Sequence, residues 1–199
     1  NNITANLTWE KRIFGDNRTL INLFYSGRSG RHFSYTFGRT FAFGGSFLSD
    51  FDNLDSQLLY VPSGLNDSLV TGDAETLSAL NNFIDREGCL SNARGSIIER
   101  HACRTSWVNR LDLHFLQEIG LPGWDHRLEL TFDIENLTNL IDNDWGRQVG
   151  FLQPFNAPVV DVAINDQGQY VYSNFREPVE TVSTIPSVWK MQFGIRYRF

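Results

Sequence analysis

Apolar and polar residues alternate along five separate segments of the chain. The segments cover residues 3–13, 21–25, 107–119, 126–137 and 187–199. In the last of them, one set of alternate positions is entirely apolar or aromatic: Trp189, Met191, Phe193, Ile195, Tyr197 and Phe199. Because a β-strand places successive side chains on opposite faces, each segment predicts a strand with one apolar face and one polar face.

The connections between these predicted strands alternate in length. Short turns at 15–17 and 120–125 close two hairpins, whereas long connections occupy 29–103 and 138–187. In outer-membrane β-barrels, one rim carries short turns and the other carries long extracellular loops. The spacing therefore favours an all-β fold, in which about five strands form an antiparallel segment of a transmembrane β-barrel. The first strand, 3–13, is expected at an edge of the sheet.

The long connections contain two predicted elements of their own. Residues 73–88 show helical periodicity, with Asp73 as a suitable N-cap and Gly88 as a stop signal. Residues 158–172 predict a small hairpin that turns at 165–168. We expect both connections to be extracellular loops, and the segment of the first that contains the cysteines to lack a core of its own.

Cys89 and Cys103 are the two cysteines of the chain, and they flank a polar stretch of the first long connection. A disulfide between them would stabilise this region by roughly 3 kcal/mol in the chain-entropy model. Two free thiols remain the alternative. Metal binding is less favoured, because His101 is the one nearby imidazole and no C-x-x-C spacing is present.

The polar faces of the predicted strands carry charges of both signs. Opposite charges on neighbouring strands can pair, which suits the polar lumen of a barrel. The predicted lumen-facing residues are Arg110, Asp112, His114, Arg127, Glu129, Asp133 and Glu135. In a soluble barrel or sandwich the apolar faces would form a core instead, and this alternative stays open.

Aromatic residues lie near the ends of the predicted strands. Trp189 and Tyr197 bracket the last strand, and Trp107 stands at the head of the third. Transmembrane barrels carry aromatic girdles at both membrane interfaces. We therefore assign Trp107, Trp189 and Tyr197 to such a girdle.

Charge and hydropathy argue against nucleic-acid binding and against a transmembrane helix, but they are compatible with a transmembrane β-barrel. The net charge is −6 and the isoelectric point is about 5.2, without a cluster of Lys and Arg that could bind phosphates, so no nucleic-acid partner is expected. The mean hydropathy is −0.28, and no run of about 18 apolar residues predicts a transmembrane helix. Transmembrane strands need only about 9–11 residues each, so a barrel remains compatible with this composition.

No catalytic, cofactor-binding or metal-binding residue is assigned, and no enzymatic activity is expected. The four histidines share no ligand spacing, and His114 on a polar strand face is more simply a hydrogen-bond partner. Two acidic clusters, Asp142 with Asp144 and the group at 50–55, lack the spacing of a calcium-binding loop. Both are interpreted as solvated loop.

The segment 192–199 resembles the C-terminal assembly signal of outer-membrane β-barrel proteins. The residues that carry this likeness are Gln192, Gly194, Tyr197 and Phe199. More of the chain resembles the C-terminal region of TonB-dependent outer-membrane receptors of the Oar type, over 58–70, 83–95, 104–119 and 128–147. The most specific part runs from Trp107 to Gly146. The resemblance implies a barrel of about 22 strands, of which residues 1–199 would supply the last five.

By this resemblance, the chain belongs to an energised receptor that takes up or exports an unidentified ligand across the bacterial outer membrane. The implied partners are the barrel-assembly machinery, TonB through a plug region upstream of Asn1, outer-membrane lipid and an unknown extracellular ligand. Two other functions remain open. One is an outer-membrane surface or adhesion barrel without transport, and the other is a secreted all-β carbohydrate-active protein.

Overall fold

The computed structural model describes residues 1–38, 57–123, 125–151 and 155–199. This part of the chain is mostly β-strand, with four short or medium helices and no helix that is both long and apolar enough to cross a membrane. The helices are α1 Ala74–Arg86, α2 Gly88–Ser91, α3 Leu137–Ile141 and α4 Thr184–Ser187. The strands are β1 Asn2–Phe14, β2 Asn17–Arg28, β3 His32–Phe37, β4 Tyr60–Val61, β5 Val70–Gly72, β6 Ser96–Ile97, β7 Cys103–Arg104, β8 Val108–Gly120, β9 Arg127–Glu135, β10 Val149–Gly150, β11 Asn156–Ile164, β12 Tyr170–Ser173, β13 Thr181–Val182 and β14 Lys190–Arg198.

The chain divides into two compact units. Unit 1 comprises residues 1–30, 106–149 and 182–199, and unit 2 comprises residues 31–105 and 150–181. Unit 1 contains all five strands that the alternating pattern predicts. Unit 2 is built from most of the two long connections.

Unit 1 is organised around a five-stranded antiparallel sheet in the order β1-β2-β8-β9-β14. The five predicted strands and their antiparallel pairing in chain order are therefore confirmed. The second strand is longer than its alternation suggests, because it follows β1 in register from Asn17 to Arg28. Within the described residues, β1 pairs with β2 alone, so it is an edge strand as expected.

The register aligns apolar residues in continuous rows across all five strands. Side chains in directly opposed positions lie on the same face of a sheet and contact each other. One row consists of Trp9, Ile21, Phe115, Phe132 and Phe193. The next consists of Leu7, Leu23, Leu113, Ile134 and Met191. This face is named the apolar face below, and the opposite face is named the polar face.

Unit 2 contains its own hydrophobic core, so the expectation that the cysteine-containing segment of the first long connection lacks one is wrong. Its main sheet has the order β5-β12-β11-β3-β7 and mixes parallel with antiparallel pairs. Strand β3 is buried along most of its length. A strand that is buried on both faces loses the period of two, which explains why this stretch did not predict a strong strand.

The predicted helix and the predicted hairpin are both present in unit 2. Helix α1 begins after Asp73, whose Oδ1 accepts a hydrogen bond from the Thr76 backbone N–H at 2.8 Å. Its buried face, with Leu80, Phe83 and Ile84, joins the core of the unit. Strands β11 and β12 form the antiparallel hairpin, and the Gly168 N–H donates to Asn165 O within its turn.

The two cysteines form a disulfide in unit 2. Cys89 lies in α2 and Cys103 lies in β7, with their Cα atoms 5.5 Å apart. Helix α2 follows directly after α1 and contacts it. The disulfide therefore ties the helical segment of the unit to one edge of its main sheet.

Candidate functional site: a sheet with an exposed apolar face and a paired polar face

The apolar face of the unit 1 sheet is largely uncovered. Phe193 and Ile195 in β14 are 62% and 65% exposed, and Leu7 in β1 is exposed to a similar degree. The apolar side chains of the central strands, such as Leu113 and Phe115, are half-buried among their neighbours in the rows. The buried apolar cluster of the described residues draws none of its members from this sheet.

Two carboxylates on the polar face are more buried than these apolar side chains. The Glu129 side chain is 4% exposed and the Glu118 side chain is 11% exposed. Glu118 and Glu129 occupy directly opposed positions in β8 and β9. Like charges in this arrangement destabilise a sheet unless cations lie beside them.

Three arginines supply that compensation. Arg127 Nη1 lies 3.4 Å from Glu118 Oε2, and Arg196 Nη1 lies 3.5 Å from Glu129 Oε2. Arg198 forms a second ion pair with the other oxygen of Glu129. The arginine side chains are about half exposed or more. Each guanidinium therefore stays partly hydrated while it neutralises a largely buried carboxylate.

The predicted polar residues near the opposite end of β8 also pair with one another. Arg110 Nε donates to Asp112 Oδ1 at 2.8 Å, and Arg110 Nη2 lies 3.3 Å from Glu135 Oε2. His114 Nδ1 and Asp133 Oδ1 are 2.5 Å apart across β8 and β9. All seven residues that were assigned to a lumen therefore lie in β8 or β9, and each of them takes part in a polar contact on this face.

Three further members of this network, Glu118, Arg196 and Arg198, lie at polar positions of the predicted strands but were not among the residues assigned to a lumen. Glu118 follows Asp112 and His114 at even spacing in β8, and the two arginines continue the polar positions of β14. This even spacing is the signal that could have identified them. Their pairing with β9 depends on the register, which no local pattern specifies.

The aromatic residues assigned to girdles occupy both ends of the sheet. Trp107 and Trp189 directly precede β8 and β14 at one end. Tyr197 lies near the end of β14, where its hydroxyl contacts His126 Nδ1. From residue 189 to residue 197 a strand rises by about 27 Å, at about 3.4 Å per residue.

The residues of the assembly-like segment lie in or next to β14. Gln192 is opposite Asp133 on the polar face, and Phe199 follows the strand. Gly194 is opposite Thr131, and an added Cβ there would collide with the Thr131 hydroxyl. The glycine therefore leaves room for the Thr131 side chain beside β14.

A buried asparagine organises the loop that follows β9. Asn136 has φ 56° and is 1% exposed. Its backbone N–H donates to Asp112 Oδ1 at 2.7 Å, and its side-chain Nδ2 donates to Gly146 O at 3.0 Å and to Ser187 O at 2.7 Å. Gly146 has φ 65°, and a Cβ at that position would overlap Asn136. Residues 136–146, part of the most specific stretch of the family resemblance, thus form a defined loop around one side chain.

No cluster of three or more His, Cys, Asp or Glu residues suitable for a metal ion occurs in the described ranges. Asp142 Oδ1 accepts a hydrogen bond from the Asp144 backbone N–H at 2.8 Å, which is a turn contact. The other acidic cluster, Asp50, Asp52 and Asp55, lies outside the described residues.

Comparison with known proteins leaves the family open. No family model, no curated protein and no solved structure matches the chain. The function is therefore inferred from the geometry of the sheet and from the residues that carry the sequence resemblance.

Proposed function

We propose that unit 1 is part of the wall of an outer-membrane β-barrel, and that the parent protein is a TonB-dependent receptor or transporter. One observation carries the membrane assignment. The apolar face of the sheet is open, while the charged residues of the opposite face are paired and partly buried. A soluble sheet buries its apolar face, whereas a barrel wall turns that face toward lipid and its polar face toward the lumen.

The size of the apolar face supports the same proposal. Its rows continue across five strands, and large contiguous exposed apolar patches are typical of contact with another protein or with a membrane. Aromatic residues mark both ends of the face. Their separation of about 27 Å along a strand becomes about 20 Å for a strand tilted by about 40°, close to the apolar band of about 25 Å in known barrels.

The finer assignment to energised transport is supported by the resemblance of 104–119 and 128–147 to Oar-type receptors. TonB, acting through a plug region, would supply the energy for uptake or export of a ligand. The barrel-assembly machinery would recognise β14, whose polar, glycine and aromatic positions resemble an assembly signal. Unit 2 would be the extracellular part and would contact the ligand.

A second candidate is an outer-membrane surface or adhesion protein without transport. Unit 2 favours it, because a separate hydrophobic core and a disulfide are typical of a binding module exposed to an oxidising environment. Both candidates require the same membrane-embedded sheet. A plug domain in the full-length protein favours transport, and its absence from that protein favours adhesion.

A matched pair of leucines tests the membrane assignment. Leu113 lies on the apolar face of β8 and Leu116 lies on the polar face of the same strand, and both are half-buried. The experiment compares Leu113→Arg with Leu116→Arg in the full-length protein, expressed in a Gram-negative host. Membrane insertion is measured by density-gradient flotation and by heat-modifiable electrophoretic migration.

The two variants should behave differently. An arginine facing lipid costs about 2–4 kcal/mol at the bilayer centre and less toward the interfaces, so Leu113→Arg, one row from the central Phe115 row, should reduce the inserted fraction. Leu116→Arg places the same charge on the lumen side, where it should be tolerated. Equal insertion of both variants, or recovery of the wild-type protein in the soluble fraction, would refute the membrane assignment.

A further inference from the structure

A cleft of about 460 Å³ lies at one end of the unit 1 sheet. Its walls include Trp107, Asn109, Thr138, Asp144, Trp145 and Arg147. Asn109 precedes Leu111 by two positions and lies on the same face of β8. The cleft therefore begins at the end of the sheet where the apolar rows stop. Its volume lies within the range of about 300–1,000 Å³ that is usual for sites that bind small molecules.

Two indole rings line the cleft and remain accessible. Trp107 is 40% exposed and Trp145 is 54% exposed. Trp107 Nε1 donates to Asn109 Oδ1 at 2.8 Å, and the Tyr25 hydroxyl donates to the same oxygen at 2.7 Å. The polar atom of the Trp107 indole is therefore satisfied within the protein, and the carbon face of its ring is what a ligand can contact.

The second indole is held by its main chain. The Trp145 N–H donates to Asp142 O at 3.0 Å, and Trp145 O accepts from Asn139 Nδ2 at 3.0 Å. These contacts fix the loop without using the side chain. The Trp145 ring is thus presented to the cleft by a structured backbone, and its removal should leave the loop intact.

The charged groups of the cleft cancel each other. Asp144 Oδ1 lies 2.6 Å from Arg147 Nη2, and Arg147 Nε donates to Asn143 O at 2.6 Å. A strongly anionic or cationic ligand would gain little net attraction from this pair. A neutral ligand with hydroxyl groups is better suited, because each hydroxyl can donate to the carboxylate and accept from the guanidinium.

We propose that this cleft binds a saccharide through stacking of a sugar ring on Trp107 and Trp145, with sugar hydroxyls donating to Asp144 and accepting from Arg147 and Asn109. A pyranose ring combines an apolar C–H face with a rim of hydroxyls, and the cleft combines accessible indole faces with planar polar groups. The saccharide could be a free glycan or the neutral headgroup of a glycolipid. Only the glycolipid source rests on the proposed membrane function, because the cleft would then lie at headgroup depth.

Binding is tested with the full chain in a zwitterionic, sugar-free detergent. The soluble probes are maltose, lactose and N,N′-diacetylchitobiose, measured by saturation-transfer NMR. Nanodiscs of phosphatidylcholine, with and without monogalactosyl diacylglycerol, test the glycolipid source. The cleft variants are Trp145→Ala and Asp144→Asn. The matched control is Trp189→Ala, since Trp189 is 41% exposed in the same unit and does not line the cleft.

The proposal predicts transfer to at least one disaccharide or preferential association with the galactolipid discs. Binding should weaken by at least about tenfold in Trp145→Ala and Asp144→Asn and remain unchanged in Trp189→Ala. Dependence on galactolipid discs would identify a headgroup, and binding of soluble disaccharide alone would identify a free glycan. No signal with any of these probes, or equal weakening in the Trp189 variant, would overturn the proposal. Disaccharide binding by a protein that fails flotation would retain the cleft and reject the membrane function.

Discussion

Glu118 and Glu129 lie directly opposite each other on the polar face, with Arg127 beside the first carboxylate and Arg196 and Arg198 beside the second. Two carboxylates in opposed positions repel each other, and burial strengthens that repulsion. The sheet tolerates the pair because three partly hydrated guanidinium groups surround it. The stability of this part of the sheet therefore depends on a balance between repulsion and ion pairing.

We expect Glu129→Gln to destabilise the protein. The substitution removes the repulsion with Glu118, but it also removes the carboxylate that pairs with two arginines. Since these arginines are largely exposed, the net loss should be about 1–2 kcal/mol, below the value for a fully buried pair. Denaturant unfolding in detergent measures it, with Glu10→Gln as a control from an exposed pair with Arg18. A gain in stability would mean that repulsion dominates.

Asn136→Ala should be more damaging than its size suggests. The change removes two side-chain N–H donors and leaves the Ser187 carbonyl, which is buried, and the partly buried Gly146 carbonyl without these partners. The left-handed backbone adds a cost for alanine, which Asn136→Gly avoids. We expect a loss of about 2–4 kcal/mol for the alanine variant and less for the glycine variant.

Denaturant unfolding and limited proteolysis of residues 136–148 measure this effect. Asn143→Ala is the matched control, because Asn143 contributes its backbone carbonyl to Asn139 and Arg147 and keeps it in the variant. If Asn136→Ala were as stable as Asn143→Ala, Asn136 would not organise the loop.

Reduction of the disulfide should loosen unit 2 selectively. Cys89 and Cys103 are 14 residues apart, and closing a loop of this size stabilises by about 3 kcal/mol in the chain-entropy model. Hydrogen exchange should increase in α1, α2 and β7 after treatment with dithiothreitol or in a Cys89→Ala/Cys103→Ala variant. Exchange in β8 and β9 should change little. Uniform loss of protection in both units would contradict this prediction.

Unit 2 should also lose stability in acid through Asp67. Partial burial raises the pKa of this carboxyl group, but hydrogen bonds from the Ser63 and Leu69 backbone N–H groups outweigh burial and lower it below the ordinary value of 3.8. A carboxyl group whose pKa is lower in the folded state contributes its stability above the unfolded pKa. The contribution is lost as the pH falls from about 4 toward the folded pKa.

Asp67→Asn should therefore flatten the acid limb of the unfolding curve of unit 2, measured by hydrogen exchange or near-ultraviolet circular dichroism between about pH 5 and pH 2. Some acid dependence should persist, because a hydrogen bond from the Thr76 backbone N–H also lowers the pKa of Asp73. Asp166→Asn in the exposed hairpin turn serves as the control. An Asp67→Asn curve parallel to that of the wild type would reject the role of Asp67.

The local sequence was sufficient to predict the five strands of the unit 1 sheet and helix α1. Alternation predicted β1, β2, β8, β9 and β14, because the period of two appears wherever one face is apolar and the other is polar. Helical spacing after a capping Asp73 predicted α1 for the same kind of reason. These features require no knowledge of which segments become neighbours.

The tertiary structure decided which distant segments pack together. Unit 2 joins residues 31–105 with residues 150–181, and its parallel pairing of β3 with β11 connects positions more than a hundred residues apart. Similarly, the arginine partners of Glu129 come from β14, and Asn136 bonds to Ser187. A periodic pattern indicates which face of a strand is apolar and which is polar, but it does not indicate which other segments pair with that strand. Register and long-range packing supply that identity, and with it the paired polar face and the core of unit 2.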